Sequence, residues 1–243
     1  MEGLTALIPA RGGSKSIPRK NIYNLAGYPM LAYSIAACKK TSGIGHIVVS
    51  TDDEEIAEVA RQFGATVPFV RPKEFATDDA TDLDVIKHFF SAEGPQDIAF
   101  VRPTTPLRDP KLMESIIECF YAKRAQISGL RTAHELPESP YKFLKIAEGY
   151  FTGFFDDYEG NKDYTNLPRQ VFPKAYLPNG FLDIVKKETI ATGSDFGFKV
   201  LPFITDYLTE ADLPYQIKLL ERRLDTEGHI LLDYLNEENT NKK

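Results

Sequence analysis

Four cations, Arg11, Lys15, Arg19 and Lys20, fall within ten positions, and Gly12 and Gly13 follow the first of them directly. Glycine carries no Cβ, so a polyanion can approach the backbone amides there while the cations neutralise it. These residue types at this spacing suit a nucleoside triphosphate. The loop is not a Walker A motif, which needs a Gly-Lys pair before Ser or Thr, and Gly-x-Gly-x-x-Gly is absent as well. A solvated basic turn is the alternative for so short a motif. Position weighs against it: the apolar run Ala6-Leu7-Ile8 reads as a first strand, and open α/β sheets bind ligands just beyond such strands.

The stretch Ile8-Pro9-Ala10-Arg11-Gly12-Gly13-Ser14-Lys15-Ser16-Ile17-Pro18-Arg19-Lys20-Asn21 resembles the signature loop of the acylneuraminate cytidylyltransferases. Residues 49–53, Arg71-Pro72-Lys73-Glu74, residues 102–108, Pro168-Arg169-Gln170 and Pro178-Asn179-Gly180 resemble the same family in the same order, across nearly the whole chain. The resemblance implies a Mg²⁺-dependent nucleotidyltransferase that uses CTP to activate an acidic, sialic acid-like 2-keto sugar, giving a CMP-sugar and pyrophosphate. It implies Arg11 and Lys20 as the phosphate-binding and catalytic cations. It places Ala10, Gly12, Gly13, Ser14, Lys15 and Asn21 around phosphate or ribose, and Arg71 with the turn from Ala80 to Asp82 against the base. Lys142 and Arg169 match cations that hold the acidic sugar, Arg169 being suited to bidentate carboxylate binding. Asp206 matches a metal ligand. The bland reading of Lys15, Arg19, Lys142 and Arg169 is surface charge, and that of Asp206 is a favourable charge near a helix start.

Four positions depart from the family pattern. Asp82 stands where a small hydroxyl residue is usual, Arg102 where Gln is usual, and Asp183 where an aromatic contacts the sugar. Leu208 replaces the second Asp of an Asp-x-Asp metal motif. A carboxylate at 82 accepts from the cytosine amino group but equally from guanine, so GTP is an open alternative to CTP. Arg102 and Asp183 carry new opposite charges that could pair and reshape the acceptor pocket, which also leaves a sugar phosphate acceptor open. With Asp206 alone, Mg²⁺ can still be held through phosphate oxygens and waters, yet a nucleotide-binding protein that has lost catalysis is the remaining alternative.

The elements that must position these groups alternate through the first half. Helical spacing of Leu31, Ile35 and Cys38 follows Pro29, residues 46–50 read as a buried strand, and Ile56, Val59, Ala60 and Phe63 mark a helix that stops at Gly64. Short β-rich segments are expected at 66–70 and 98–101, and helices at Leu83, Ile86 and Phe90 and from Asp109-Pro110 onward. This rhythm predicts a doubly wound, mostly parallel α/β sheet; the resemblance specifies it as nucleotide-diphospho-sugar transferase-like. Residues 1–243 read as a single nucleotidyltransferase domain in which 135–176, broken by proline and glycine and rich in aromatics, forms an insertion. The resemblance implies that this insertion builds a homodimer; a flap over the same chain's cleft is the other reading. Strands are expected at 181–185 and 199–204, a capping box at Thr209-Glu210-Ala211-Asp212 with a helix after it, and a frayed polar tail over 236–243.

Composition narrows the function classes. The 243 residues are 42% hydrophobic and 26% charged, enough for a full core. A net charge of −6 argues against nucleic acid as a partner, since that needs a basic field over a whole face. No apolar run approaches a membrane span and no leader is visible, and Cys38 and Cys119 read as thiols rather than a disulfide or zinc site. A cytoplasmic protein without membrane attachment is expected.

Overall fold

The computed structural model describes residues 3–93 and 97–241. Strand β1 (Leu4–Pro9) is buried along all but its last residue, as a strand covered on both faces requires. The phosphate-type loop follows, then a short hairpin of β2 (Asn24–Leu25) and β3 (Tyr28–Pro29) that leads into α1 (Met30–Lys39). Next come β4 (Ile44–Ser50), α2 (Glu54–Gln62), α3 (Asp82–Glu93), β5 (Ile98–Phe100) and α4 (Pro110–Lys123). The second half contributes β6 (Gly129–Glu135), a separate hairpin of β7 (Leu144–Ala147) and β8 (Tyr150–Gly153), then β9 (Tyr176–Pro178), β10 (Asp183–Val185), α5 (Lys187–Ile190) and β11 (Val200–Ile204). It ends with α6 (Pro214–Glu227) and α7 (Ile230–Thr240).

The sheet order is β11-β6-β10-β5-β1-β4, with β9 added to β6. Strand β1 runs parallel to β4 and β5, and β11 parallel to β6, whereas β10 runs against both of its neighbours and β9 against β6. The sheet is therefore mixed and mostly parallel. Side-chain alternation wraps it on both faces: Ala6 and Ile8 join the core under α1, α4, α6 and α7, while Leu7, Ile98 and Phe100 join Ile86, Phe89 and Ile190 on the face of α3 and α5. The chain leaves β1 for β4 on one side and reaches β5 on the other, so the order reverses at β1. That is where the phosphate-type loop emerges.

Several expectations need revision. Every residue of α1 from Met30 to Cys38 is buried, not one stripe, because α7 packs Leu231 and Leu235 over the side away from the sheet. The 66–70 segment makes only isolated bridges, Val48 with Thr66 and Thr51 with Val70, since Pro68 interrupts the donors of a ladder. The helix expected after Thr209 starts at Pro214. There Gln216 Oε1 accepts from the N–H groups of Leu213 (2.7 Å) and Asp212 (3.0 Å), and Ala211 is drawn instead to the Thr104 carbonyl (2.7 Å). The tail is helical to Thr240; residues 242–243 lie outside those described.

Candidate nucleotide site

A cleft of about 420 Å³ opens beside the carboxyl ends of β1 and β5. Three loops line it: the first carries Arg11, Ser14, Lys15, Lys20 and Asn21, the second Arg71, Ala80 and Asp82, and the third Arg102 to Thr104. Of the nucleotide candidates, these line the cleft directly; Ala10, Gly12 and Gly13 are interleaved with lining residues. Asn21, buried, donates from Nδ2 to the Arg11 carbonyl (2.9 Å) and so fastens the loop across its base. The Gly12 N–H donates to Asp52 Oδ1 (2.9 Å), and a Cβ at Gly12 would stand 2.8 Å from Asp53 Oδ2. Here glycine permits a close approach of the loop to the start of α2.

Each loop cation meets a carboxylate from a distant element. Arg11 donates to Asp78 Oδ1 (2.8 Å) and to the Thr77 carbonyl, and Lys15 pairs with Asp78 Oδ2 (2.5 Å). Arg19, at a left-handed φ of 54°, pairs with Asp53 (2.5 Å) and Glu55. Lys20 pairs with Asp212 (2.9 Å). The Arg19 hydrogen bond holds the Asp53 carboxyl below its usual range, and burial followed by the charge of Asp212 raises that of nearby Glu210.

Arg71 is buried in the wall of the cleft, donating to the carbonyls of Ser50 (2.9 Å) and Phe75 (3.2 Å). Burial lowers its pKa to about 10, and its Nε has no partner among the described residues. Arg102 bridges Asp183 Oδ2 and Asp82 Oδ2, each at 2.6 Å. Burial works against its charge, but Asp183 and Asp82 together hold it above the ordinary arginine range. Asp183, expected against the sugar, is 0% exposed and also accepts from the Thr132 N–H (3.1 Å). It stands behind Arg102 and reaches the cleft only through that side chain.

Residues singled out without a role in the sequence complete the frame. Arg108, fully buried, donates to the carbonyls of Arg102 (2.6 Å), Gly180 (3.0 Å), Phe181 (2.6 Å) and Thr105 and to Ser34 Oγ (3.1 Å). It thereby clasps the third loop to the Asn179-Gly180 turn, where Gly180 has φ of 60°, a region that suits glycine. Asp78 and Asp212, which anchor the cations, carried no local signal: their partners lie 67 and 192 residues away.

Three candidates fall elsewhere. Lys142 Nζ donates to the carbonyls of Thr165 (3.0 Å) and Leu167 (2.8 Å), inside the 135–176 segment. Arg169 donates to the Pro137 carbonyl (3.0 Å) and lines a second cleft of about 460 Å³ with residues 135–139, Gln170 and residues 172–175. Neither lines the nucleotide cleft of its own chain. Asp206 is exposed beyond β11 and does not line the cleft either. Among the described residues no group of three or more His, Cys, Asp or Glu side chains is arranged to hold a metal. The donor that Asp206 offers is a hard carboxylate, which fits Mg²⁺ borne mainly by phosphates and water.

Residues 5–147 match a family described as cytidylyltransferase. A CMP-N,N'-diacetyllegionaminic acid synthase of Legionella pneumophila is 38% identical over 120 residues, covering 47% of this chain and 52% of that protein. An N-acylneuraminate cytidylyltransferase of Escherichia coli O18:K1:H7 is 30% identical over 213 residues, covering 86% of this chain and 49% of that protein. The chain thus spans about half the length of these curated relatives. Among solved structures, a CMP:2-keto-3-deoxy-manno-octonic acid synthetase complexed with CTP aligns at a TM-score of 0.69 with 14% identity, over 93% of this chain and all of that one. That likeness is one of fold.

Proposed function

Because the chain belongs to the acylneuraminate cytidylyltransferase family, we propose that it transfers a cytidylyl group from CTP to the hydroxyl of an acidic, sialic acid-like 2-keto sugar, releasing pyrophosphate. One observation carries the reading: a single cleft gathers the cations Arg11, Lys15 and Lys20, the buried Arg71, and the Asp82–Arg102 pair. In this reaction the acceptor hydroxyl gives up its proton to water as its oxygen bonds to the α-phosphorus, while the bond from that phosphorus to the bridging oxygen breaks and its electrons leave with pyrophosphate. Positioning and charge neutralisation supply most of the rate. Arg11 and Lys20 neutralise the phosphates, Asp212 fixing Lys20 in place, and Arg71 and Asp82 face the base. Mg²⁺ borne mainly by phosphates and water would offset further phosphate charge, and Asp206, which lies outside the cleft, would be the chain's own carboxylate for it. Arg102, tied to buried Asp183, borders the acceptor.

Lys142 and Arg169 lie outside their own chain's cleft, which favours a role on the acidic sugar of a second copy over a flap that closes on the same chain. We assign the 135–176 insertion of this single domain to a homodimer contact. Its β7–β8 hairpin sets Ile146 opposite Phe151 on one face, 72% and 75% exposed, an apolar pair that a lone chain leaves in water. A reaction that draws on the CTP pool belongs in the cytoplasm, and no described helix is long and apolar enough to cross a membrane.

Pyrophosphate release from a panel of nucleoside triphosphates and sugars tests the proposal. The expected result is release with CTP and a sialic acid relative altered in its amino, acyl or side-chain groups, and weak release with N-acetylneuraminic acid, because the charged pair at 102 and 183 changes what the pocket accepts. Release with GTP in place of CTP would move the base assignment to the second reading of Asp82. Tight CTP binding with no release for any acceptor would leave a nucleotide-binding protein without catalysis.

A further inference from the structure

We propose that Asp78 is a specificity-determining residue: an internal anion that occupies the phosphate-binding cations and yields them only to a ligand rich enough in phosphate charge to displace it. The proposal rests on the nucleotide reading of the cleft. Asp78 lines that cleft together with the two cations it engages. Its two oxygens are divided between them, Oδ1 on Arg11 Nη2 at 2.8 Å and Oδ2 on Lys15 Nζ at 2.5 Å. One carboxylate on two cations has the form of a phosphate group in the same place. The Thr77 carbonyl adds a further contact to Arg11, so the segment carrying both residues is drawn onto the phosphate-type loop.

The pairs are poised for exchange. The side chains of Arg11, Lys15 and Asp78 are 32%, 82% and 42% exposed, and ion pairs that wet contribute little to stability. The remaining loop cations differ. Arg19 is held by Asp53 and Glu55 and Lys20 by Asp212, carboxylates that do not line the cleft. Asp78 therefore stands where phosphates must go, while the others stand behind their cations. A phosphate monoester, at about −1.5 to −2 near pH 7, exceeds the single charge of Asp78 only modestly, whereas a triphosphate exceeds it severalfold and can engage both cations at once, so Asp78 favours triphosphates over monophosphates. Ala80, Thr81 and Asp82 follow in the same cleft wall, but Asp82 is held by Arg102 and Thr81 by Asp84, so displacement of Asp78 leaves the base-facing turn in place.

Titration calorimetry at low salt on the full chain and its Asp78→Asn variant provides the test, with inorganic tripolyphosphate, CTP, CMP and cytidine as probes. Removing the carboxylate should tighten tripolyphosphate and CTP roughly threefold to tenfold, the range expected for two exposed ion pairs, leave cytidine unchanged, and narrow the gap between CTP and CMP. The difference between the two proteins should shrink as salt is raised. Unchanged or weaker tripolyphosphate binding by the variant overturns the proposal, as does a change that cytidine shares. Failure of the nucleotide reading is separable: a wild-type chain that binds tripolyphosphate but not CTP overturns that reading, while tighter tripolyphosphate binding by Asp78→Asn still supports the internal anion.

Discussion

Arg102 concentrates more consequence in one side chain than any other cleft residue. It is the partner of a fully buried carboxylate, and breaking such a pair from one side leaves an uncompensated charge. Arg102→Ala should therefore cost about 3–5 kcal/mol in urea unfolding, and adding Asp183→Asn should recover a large part of it. A loss below 1 kcal/mol would show that Asp183 is satisfied by the Thr132 N–H and by Arg131, whose Nε lies 3.9 Å from Oδ2, without Arg102. For the nucleotide, Arg11→Ala should weaken CTP binding by about 1.5–3 kcal/mol, the worth of a charge-assisted contact, as read by calorimetry; unchanged affinity would remove Arg11 from the phosphate site. The cations of the loop were legible because glycine and charge sit within one short stretch, and the Arg102–Asp183 pair was legible because two departures of opposite sign suggested each other. Asp78, Asp212 and the clasp of Arg108 were not, since each depends on contacts made only once the sheet has formed.

Among the elements, α2 links the fold to the site. Asp53 caps it, accepting from the Ile56 N–H at 3.0 Å, and the same carboxylate holds Arg19 of the phosphate-type loop. Asp53→Ala should lose the cap, about 1 kcal/mol, and loosen the loop as well. Because the folded Asp53 carboxyl lies below its usual 3.8, its stabilisation is fully present above that value and fades as pH falls through the lowered one. Asp53→Asn should therefore flatten the decline of stability on the acid side, and an unaltered acid limb would contradict the coupling. Elements with local start signals, such as α4 with Asp109 as cap and Pro110 at its first position, were readable from sequence. The start of α6 was not. Residues 209–212 look like a cap, but Asp212 is taken by Lys20 and Ala211 by the Thr104 carbonyl, so tertiary contacts override the local signal. The same holds for α1, whose second buried face exists only because α7 returns to cover it.

At the scale of the whole molecule, the decisive fact is that the two cations expected on the acidic sugar sit on the insertion, bonded to its own carbonyls, rather than in the cleft beside Arg11 and Lys20. If the exposed face of β7 and β8 joins two copies, each catalytic unit is assembled from the cleft of one chain and the insertion of the other. Glutamate at both Ile146 and Phe151 should then yield a monomer by light scattering that retains CTP affinity but loses sugar transfer. Complementation is the sharper test. Arg169→Ala and Lys20→Ala should each be inactive as pure proteins. Co-refolded in equal amounts, half of the dimers would be mixed, and each mixed dimer would hold one site with an intact Lys20 facing an intact Arg169 from its neighbour, so about a quarter of wild-type activity should return. If Arg169 instead served its own chain's cleft, every mixed dimer would have one subunit defective in each residue and no subunit whole, and mixing would restore nothing.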